Sequence, residues 1–166
     1  MLRAWGGVWH QKERERGIVP HTSIDTEAHW TQSGWHGGVY GWKLHIVCTV
    51  ASVWIPLAAK LTPANVADNE MAEDWIRFLP DEARDVLGDL HDNAPNVRDA
   101  CEQTDRFLVT TPYGSDPHTD AGVFVRRIFH QLRSRAIENF NEHFKGIFDA
   151  HDHVPTRGWR KTQRLA

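Results

Sequence analysis

Three acidic side chains in this sequence stand where carboxylates from separate elements could meet. Asp25 lies in a short strand-like run, Asp89 closes another such run, and Glu138 lies in a helical pattern seven residues before Lys145. Phosphodiester chemistry by two metal ions needs carboxylates that hold the cations about 3.5–4 Å apart. Asp and Glu supply the hard oxygen ligands that Mg²⁺ and Mn²⁺ prefer. If the two strands are neighbours, the three residues would form a two-metal site.

Each of these acidic residues also has a purely structural interpretation. An Asp at a strand end commonly forms a turn or caps a helix. Glu138 lies opposite the apolar stripe of its helix, which is typical of a solvated helix face. Because the chain has 22 acidic residues, their number does not choose between the interpretations.

The elements that would position these carboxylates follow from hydrophobic periodicity. Trp42, Leu44, Ile46 and Cys48 alternate with more polar residues, as in a half-buried strand. The whole pattern predicts strands at 22–26, 42–50 and 53–61, a helix at 68–79, a strand at 83–90, a helix at 95–104, a strand at 107–111 and a long helix at 123–148.

The predicted element order is three strands, a helix, a strand, a helix, a strand and a long helix. This is the order of a ribonuclease H-like fold. We therefore expect an α/β fold with a mixed sheet flanked by helices. At 166 residues the chain is long enough for one such domain. Residues 1–20 read as a solvated leader and residues 21–166 as the domain.

Charge is distributed unevenly along the chain. The net charge is −3, but residues 126–166 carry 9 Lys and Arg against 4 Asp and Glu. This balance excludes a uniformly basic nucleic-acid coat protein and leaves room for a local basic patch. A solvated basic face is the alternative. The candidates for DNA contact in this part of the chain are Arg126, Arg127, Arg133, Arg135, Lys145, Arg157, Arg160, Lys161 and Arg164.

Cysteine and hydropathy patterns indicate the compartment. Two cysteines, Cys48 and Cys101, cannot build a disulfide framework. The most apolar stretch, residues 44–59, is broken by polar residues and a proline, so no membrane span is expected. We predict a cytoplasmic protein.

Aromatic and histidine side chains near the glycine-rich loop have two open interpretations. Trp30, Trp35 and Trp42 could stack on splayed bases or could pack in the core. His45 shares a strand face with Lys43, either near the acidic site or on an exposed polar face.

Five motifs of this chain, in this order, resemble the catalytic core of DDE transposases from bacterial and archaeal insertion sequences. The resemblance runs from about His21 to the last residue. The motifs are Ile24-Asp25-Thr26, Gly41-Trp42-Lys43-Leu44-His45, Leu61-Thr62-Pro63-Ala64-Asn65-Val66-Ala67-Asp68, Leu87-Gly88-Asp89 and Ile137-Glu138-Asn139-Phe140-Asn141-Glu142-His143-Phe144-Lys145.

The resemblance implies a ribonuclease H-like core that cuts and joins insertion-sequence DNA with two Mg²⁺ or Mn²⁺ ions. Its catalytic and metal-binding triad would be Asp25, Asp89 and Glu138. The DNA contacts would be made by Lys145, Arg133, Arg135 and Lys43. The partners would be element ends and target DNA, with a homodimer or a full-length transposase acting in trans as further expectations.

The chain also departs from the family pattern. The family usually has a tyrosine and an arginine seven and four residues before the glutamate, where this chain has Gln131 and Ser134, and Asp92 replaces a common aromatic residue. We expect an end-binding region to be missing and the domain to be incomplete at its C-terminus. A stand-alone nuclease and a non-catalytic DNA-binding remnant therefore stay open as alternatives.

Overall fold

The computed structural model describes residues 1–34, 37–50, 55–89, 91–110, 131–132, 139–147 and 153–165. The chain divides into two compact units. The first comprises Met1–Ile46, Ala59–Val66 and Phe140–Ala166, and the second comprises Val47–Ala58 and Ala67–Asn139.

A four-stranded sheet is built around one long central strand. The strands are β1 (Leu2–Arg3), β2 (His29–Ser33), β3 (Gly37–Cys48) and β4 (Pro56–Pro63). β3 pairs antiparallel with β1 and with β2, and it also pairs with β4. The alternating pattern that predicted a strand at 42–50 thus belongs to a strand that begins five residues earlier.

Residues 1–20 contribute to the core of the first unit. Leu2 and Ala4 are buried in a cluster with Trp42, and Leu2 lies opposite Trp42 in the β1–β3 register. A Cβ atom at Gly41 would collide with the backbone of Leu2, so glycine there lets β1 approach β3. Helix α1 (Gln11–Glu15) follows. The solvated leader predicted from charge is therefore wrong for Leu2 and Ala4.

The first predicted strand, at 22–26, is a turn in the structure, and β2 begins at His29. The reason is local: Asp25 Oδ1 accepts the backbone N–H of Glu27 at 3.2 Å. Such a side-chain bond two residues ahead stabilises a turn in competition with a strand ladder. Asp25 thus occupies a turn before β2 and does not lie within a strand.

The second unit contains a strand–helix–strand arrangement. Helix α2 (Asp68–Ile76) precedes β5 (Asp85–Leu87), α3 (Pro95–Gln103) and β6 (Phe107–Val109). β5 and β6 pair in parallel, which requires a crossover such as α3. Its core contains Ile76, Val97, Ala100 and Cys101. These four elements confirm the predicted order, with shorter strands than the sequence pattern indicated.

The long helix predicted at 123–148 is described only in part. Residues 131–132 are helical, and α4 spans Asn139–Ile147. Phe144 of the predicted apolar stripe is buried, with Phe140 packed against the same core, whereas Ile147 is 74% exposed. A last helix, α5, spans Trp159–Leu165 and has no counterpart among the predicted elements.

The mixed α/β character predicted from sequence is confirmed by these elements. The described strands form a four-stranded sheet and a two-stranded parallel sheet. No helix among the described residues is long and apolar enough to cross a membrane.

Candidate active site

Asp25 is a buried carboxylate whose two oxygens both accept backbone hydrogen bonds. Its side chain lies in the first unit and is 1% exposed. Oδ1 accepts the N–H of Glu27, and Oδ2 accepts the N–H of Gly158 at 2.9 Å. Buried polar groups need such partners, because an unpaired one would cost free energy on folding. The carboxylate is therefore held in one orientation by amides from two distant parts of the chain.

The residues around Asp25 extend this contact. Glu27 Oε2 accepts the N–H of Trp159 at 2.7 Å, and the indole of Trp159 donates to the carbonyl of Leu61 at 3.3 Å. The hydroxyl of Tyr40 donates to the backbone carbonyl of Asp25 at 2.7 Å. Burial raises the pKa of Tyr40 to about 12, so this hydroxyl stays a donor at neutral pH. The turn that carries Asp25 is thereby fixed to the sheet and to α5.

Asp89 lies in the second unit, two residues after β5, and forms the same kind of turn. Its Oδ1 accepts the N–H of His91 at 2.7 Å and the N–H of Asp92 at 3.3 Å. In return, Asp92 Oδ2 accepts the N–H of Asp89 at 2.8 Å. Two of these three bonds fall on Oδ1 of Asp89, and the Asp89 side chain is 41% exposed. Asp89 is thus held in its turn while its side chain stays partly exposed.

Asp92, the partner of Asp89 in this turn, is half-buried. Burial raises the pKa of the Asp92 carboxyl, and the negative charges of Asp89 and Asp68 act in the same direction, against the opposing effect of the Asp89 amide. A Cβ atom at Gly88 would lie 2.6 Å from Cβ of Asp92. Position 88 therefore needs a glycine, because Asp92 packs against the backbone there. Asp92 therefore shapes the turn that presents Asp89.

The predicted triad is only partly within the described residues. Asp25 and Asp89 are described, one in each compact unit, whereas Glu138, Arg133 and Arg135 lie outside the described residues. In the part of the chain that the structure describes, no group of three or more His, Cys, Asp or Glu side chains could hold a metal ion. The convergence of the triad therefore stays a prediction.

The two predicted DNA-contacting lysines that are described both have partners within the chain. Lys43 donates to the backbone carbonyl of Val66 at 2.8 Å. Nζ of Lys145 lies 3.7 Å from Oε1 of Glu142, one turn before it on α4, and the lysine side chain is 28% exposed. Such a loose ion pair contributes little to stability, so it leaves the Lys145 ammonium able to exchange Glu142 for another anion.

Two open interpretations are decided by burial. His45 is buried, and its Nε2 lies 2.7 Å from the Thr62 hydroxyl, so it is not part of an exposed polar face. Trp42 is fully buried, and Trp30 packs against the same core, which favours packing over base stacking. Trp35 lies outside the described residues.

Sequence reasoning missed Glu27 and Gly158 as neighbours of Asp25. Glu27 stands two residues from Asp25, and this Asp-x-Glu spacing is a local signal for paired acceptors. Gly158 lies 133 residues away along the chain, and nothing in its own sequence neighbourhood indicates the contact.

The comparison with protein families identifies the chain. The family model described as transposase DDE domain matches residues 11–166, which include α1 and the turns of both aspartates. No curated protein and no solved structure is significantly similar to the chain. Because the match spans nearly the whole sequence, the chain belongs to the transposase DDE domain family.

The raised pKa of Asp92 makes stability depend on pH in a definite direction. The pKa of Asp92 in the folded protein lies above its ordinary value of 3.8. The stabilising contribution of this group to the free energy of unfolding is therefore fully present below pH 3.8 and is lost as the pH rises through the folded-state pKa. We expect Asp92→Asn, which keeps an acceptor oxygen for the Asp89 N–H, to raise the melting temperature at pH 7. This gain should disappear below pH 3.8.

Thermal melts of wild type and Asp92→Asn between pH 3 and pH 8 measure this effect. Asp99→Asn removes the same charge from an exposed position on α3 and is the matched reference. If Asp92→Asn lowers the melting temperature at pH 7 as much as Asp92→Ala does, the ionised carboxylate is needed in the fold and the interpretation is wrong.

Proposed function

We propose that this member of the DDE transposase family is the catalytic domain of a DNA transposase, which cuts and joins insertion-sequence DNA with divalent metal ions. The observation that carries the proposal is the family match over residues 11–166. It is supported by the positions of Asp25 and Asp89, which stand at two of the motifs by which the chain resembles the family. A ribonuclease H-like arrangement of the sheet and helices is part of the proposal.

The two described carboxylates suit hard cations in their chemistry. Asp25 and Asp89 each accept the N–H of the residue two positions ahead, which fixes the carboxylate relative to its own backbone. Fixed oxygen donors suit Mg²⁺ or Mn²⁺. Bound there, two such ions would supply an activated water and stabilise the leaving oxygen of the phosphodiester.

The remaining residues of the proposed site orient DNA and complete the donor set. Glu138 would add the third carboxylate from the long helix. Lys145 and Lys43, with Arg133 and Arg135, would hold phosphates, which gives affinity without sequence readout. Lys145 would do so by exchanging its 3.7 Å contact with Glu142 for a phosphate oxygen.

The 153–165 segment adds a basic surface for the same purpose. Arg157, Arg160, Lys161 and Arg164 are all exposed, and these 13 residues include no Asp or Glu. Four exposed cations close together in sequence attract the phosphate groups of nucleic acid. We therefore include these four residues, which are already candidates from the sequence, in the proposed DNA-binding surface.

Replacing the proposed metal ligands should abolish both reactions of a transposase. We expect Asp25→Asn, Asp89→Asn and Glu138→Gln each to lower Mn²⁺-dependent DNA cleavage and strand joining by about 100-fold or more, because even indirect partners of metal sites are worth 10–100-fold. Asp85→Asn, at an exposed position of β5, should cleave and join like wild type. Cleavage and joining are measured on the same labelled DNA substrate.

Which of the two reactions occurs, and which substitutions abolish it, distinguishes the proposed transposase from the two alternative functions. Cleavage without joining, sensitive to the same substitutions, would indicate a stand-alone nuclease. DNA binding without cleavage in wild type would indicate a non-catalytic remnant. Activity that survives both Asp25→Asn and Asp89→Asn would contradict the assignment of the site.

DNA binding should depend on salt through the basic 153–165 segment. Each phosphate contact contributes about 0.9 to the slope of log affinity against log salt concentration. We expect the double variant Arg160→Gln/Lys161→Gln to reduce that slope by about 1.8. The matched control is Lys12→Gln/Arg16→Gln, which removes two exposed charges from α1 and its C-terminal cap and should leave the slope unchanged.

Fluorescence anisotropy with duplex DNA between 50 and 200 mM salt measures the slope. Equal slopes for wild type and the Arg160/Lys161 variant would exclude this segment as a phosphate-binding surface.

A further inference from the structure

The 153–165 segment lies directly on the carboxylate proposed to bind metal. Gly158 donates its N–H to Oδ2 of Asp25, and Trp159 donates its N–H to Oε2 of Glu27. The amides of Gly158 and Trp159 are consecutive at the start of α5. The Asp25 and Glu27 carboxylates, two residues apart, each accept one of them. With the segment in this position, the Asp25 side chain is 1% exposed. A cation with its water ligands has no access to an oxygen that is buried to this degree.

The segment is anchored on both sides of this contact. Val154 is fully buried, and its N–H donates to the carbonyl of Arg3 at 2.9 Å. Thr162 is fully buried as well, and its hydroxyl lies 3.0 Å from the hydroxyl of Thr156 and donates to the carbonyl of Gly158. The two anchors hold Gly158 and Trp159 over Asp25 from either side.

The contact depends on a glycine at position 158. Gly158 has φ of +80°, a conformation that other residues adopt only with strain, and a Cβ atom there would lie 2.9 Å from Oε2 of Glu27. An alanine would therefore both strain the backbone and displace the Glu27 acceptor. Such a substitution weakens the contact and leaves the Asp25 side chain intact.

We propose that the 153–165 segment is a built-in cover of the Asp25 carboxylate, which must lift at Gly158 and Trp159 before a divalent cation binds there. The proposal rests on the proposed function, because it takes Asp25 to be a metal ligand. The metal and the Gly158 amide compete for Oδ2 of Asp25, so each lowers the apparent affinity of the other, and the bond from Trp159 to Glu27 holds the Gly158 amide in place. A protein that binds metal only when open has an apparent Kd raised by the reciprocal of its open fraction.

Two pairs of full-length variants test the competition. Gly158→Ala is compared with Gly17→Ala, because Gly17 also has positive φ but has nothing within 4 Å of its Cβ position. Glu27→Ala is compared with Glu27→Gln, because both remove the charge and only the alanine removes the acceptor for Trp159. Mn²⁺ affinity is measured by titration, and exchange of the Gly158 and Trp159 amides is measured by NMR with and without Mg²⁺.

We expect Gly158→Ala and Glu27→Ala to bind Mn²⁺ about tenfold more tightly than their paired controls, since an open fraction near one tenth gives that change. In wild type, the Gly158 and Trp159 amides should be protected without metal and should exchange faster once Mg²⁺ saturates the protein. Adding Asp25→Asn to Gly158→Ala should remove the gain in Mn²⁺ affinity.

Two results would overturn the cover while leaving the metal site in place. One is equal or weaker Mn²⁺ binding by Gly158→Ala and Glu27→Ala, with wild-type binding still dependent on Asp25. The other is undiminished protection of the Gly158 and Trp159 amides at saturating Mg²⁺. If neither wild type nor the opened variants bind Mn²⁺ through Asp25, the proposed function fails and the cover fails with it.

Discussion

The burial of the Asp25 carboxylate joins two distant parts of the first compact unit. Asp25 is almost fully buried, and a buried carboxylate without partners would be strongly destabilising. The chain satisfies it with the Glu27 amide from its own turn and the Gly158 amide from the far end of the sequence. The positive φ of Gly158 and the acceptor on Glu27 hold the start of α5 at this carboxylate.

Asp89 also has a carboxylate that accepts backbone amides, but it is only partly buried. Asp89 accepts the amide of His91 just as Asp25 accepts that of Glu27, so both aspartates sit in turns closed by their own side chains. Asp89 remains partly exposed and is shaped locally by Asp92. The two proposed ligands are therefore both fixed by their own turns but unequally accessible. Asp25 depends in addition on a distant segment, whereas the bonds of Asp89 to the described residues are all local.

How far sequence could predict this structure depends on the range of the interactions involved. The order from α2 to β6 was predictable because local periodicity, Pro63, Pro80 and Pro95 mark those elements. The sequence pattern predicts a strand at Asp25. The structure has a turn there instead, because one side-chain hydrogen bond outweighs a weak strand preference. The contact of Gly158 with Asp25 and the burial of Leu2 were not predictable, because both depend on partners dozens of residues away. Glu138 and the arginines near it stay predictions.

The most direct test of the account is crystallographic: the anomalous signal of Mn²⁺ in crystals of the full chain. We expect a manganese ion within about 2.0–2.6 Å of a carboxylate oxygen of Asp25. We also expect the Gly158 N–H to have moved out of hydrogen-bond distance of Asp25. A manganese ion bound away from Asp25, or one bound to Asp25 with the Gly158 hydrogen bond still in place, would contradict this account.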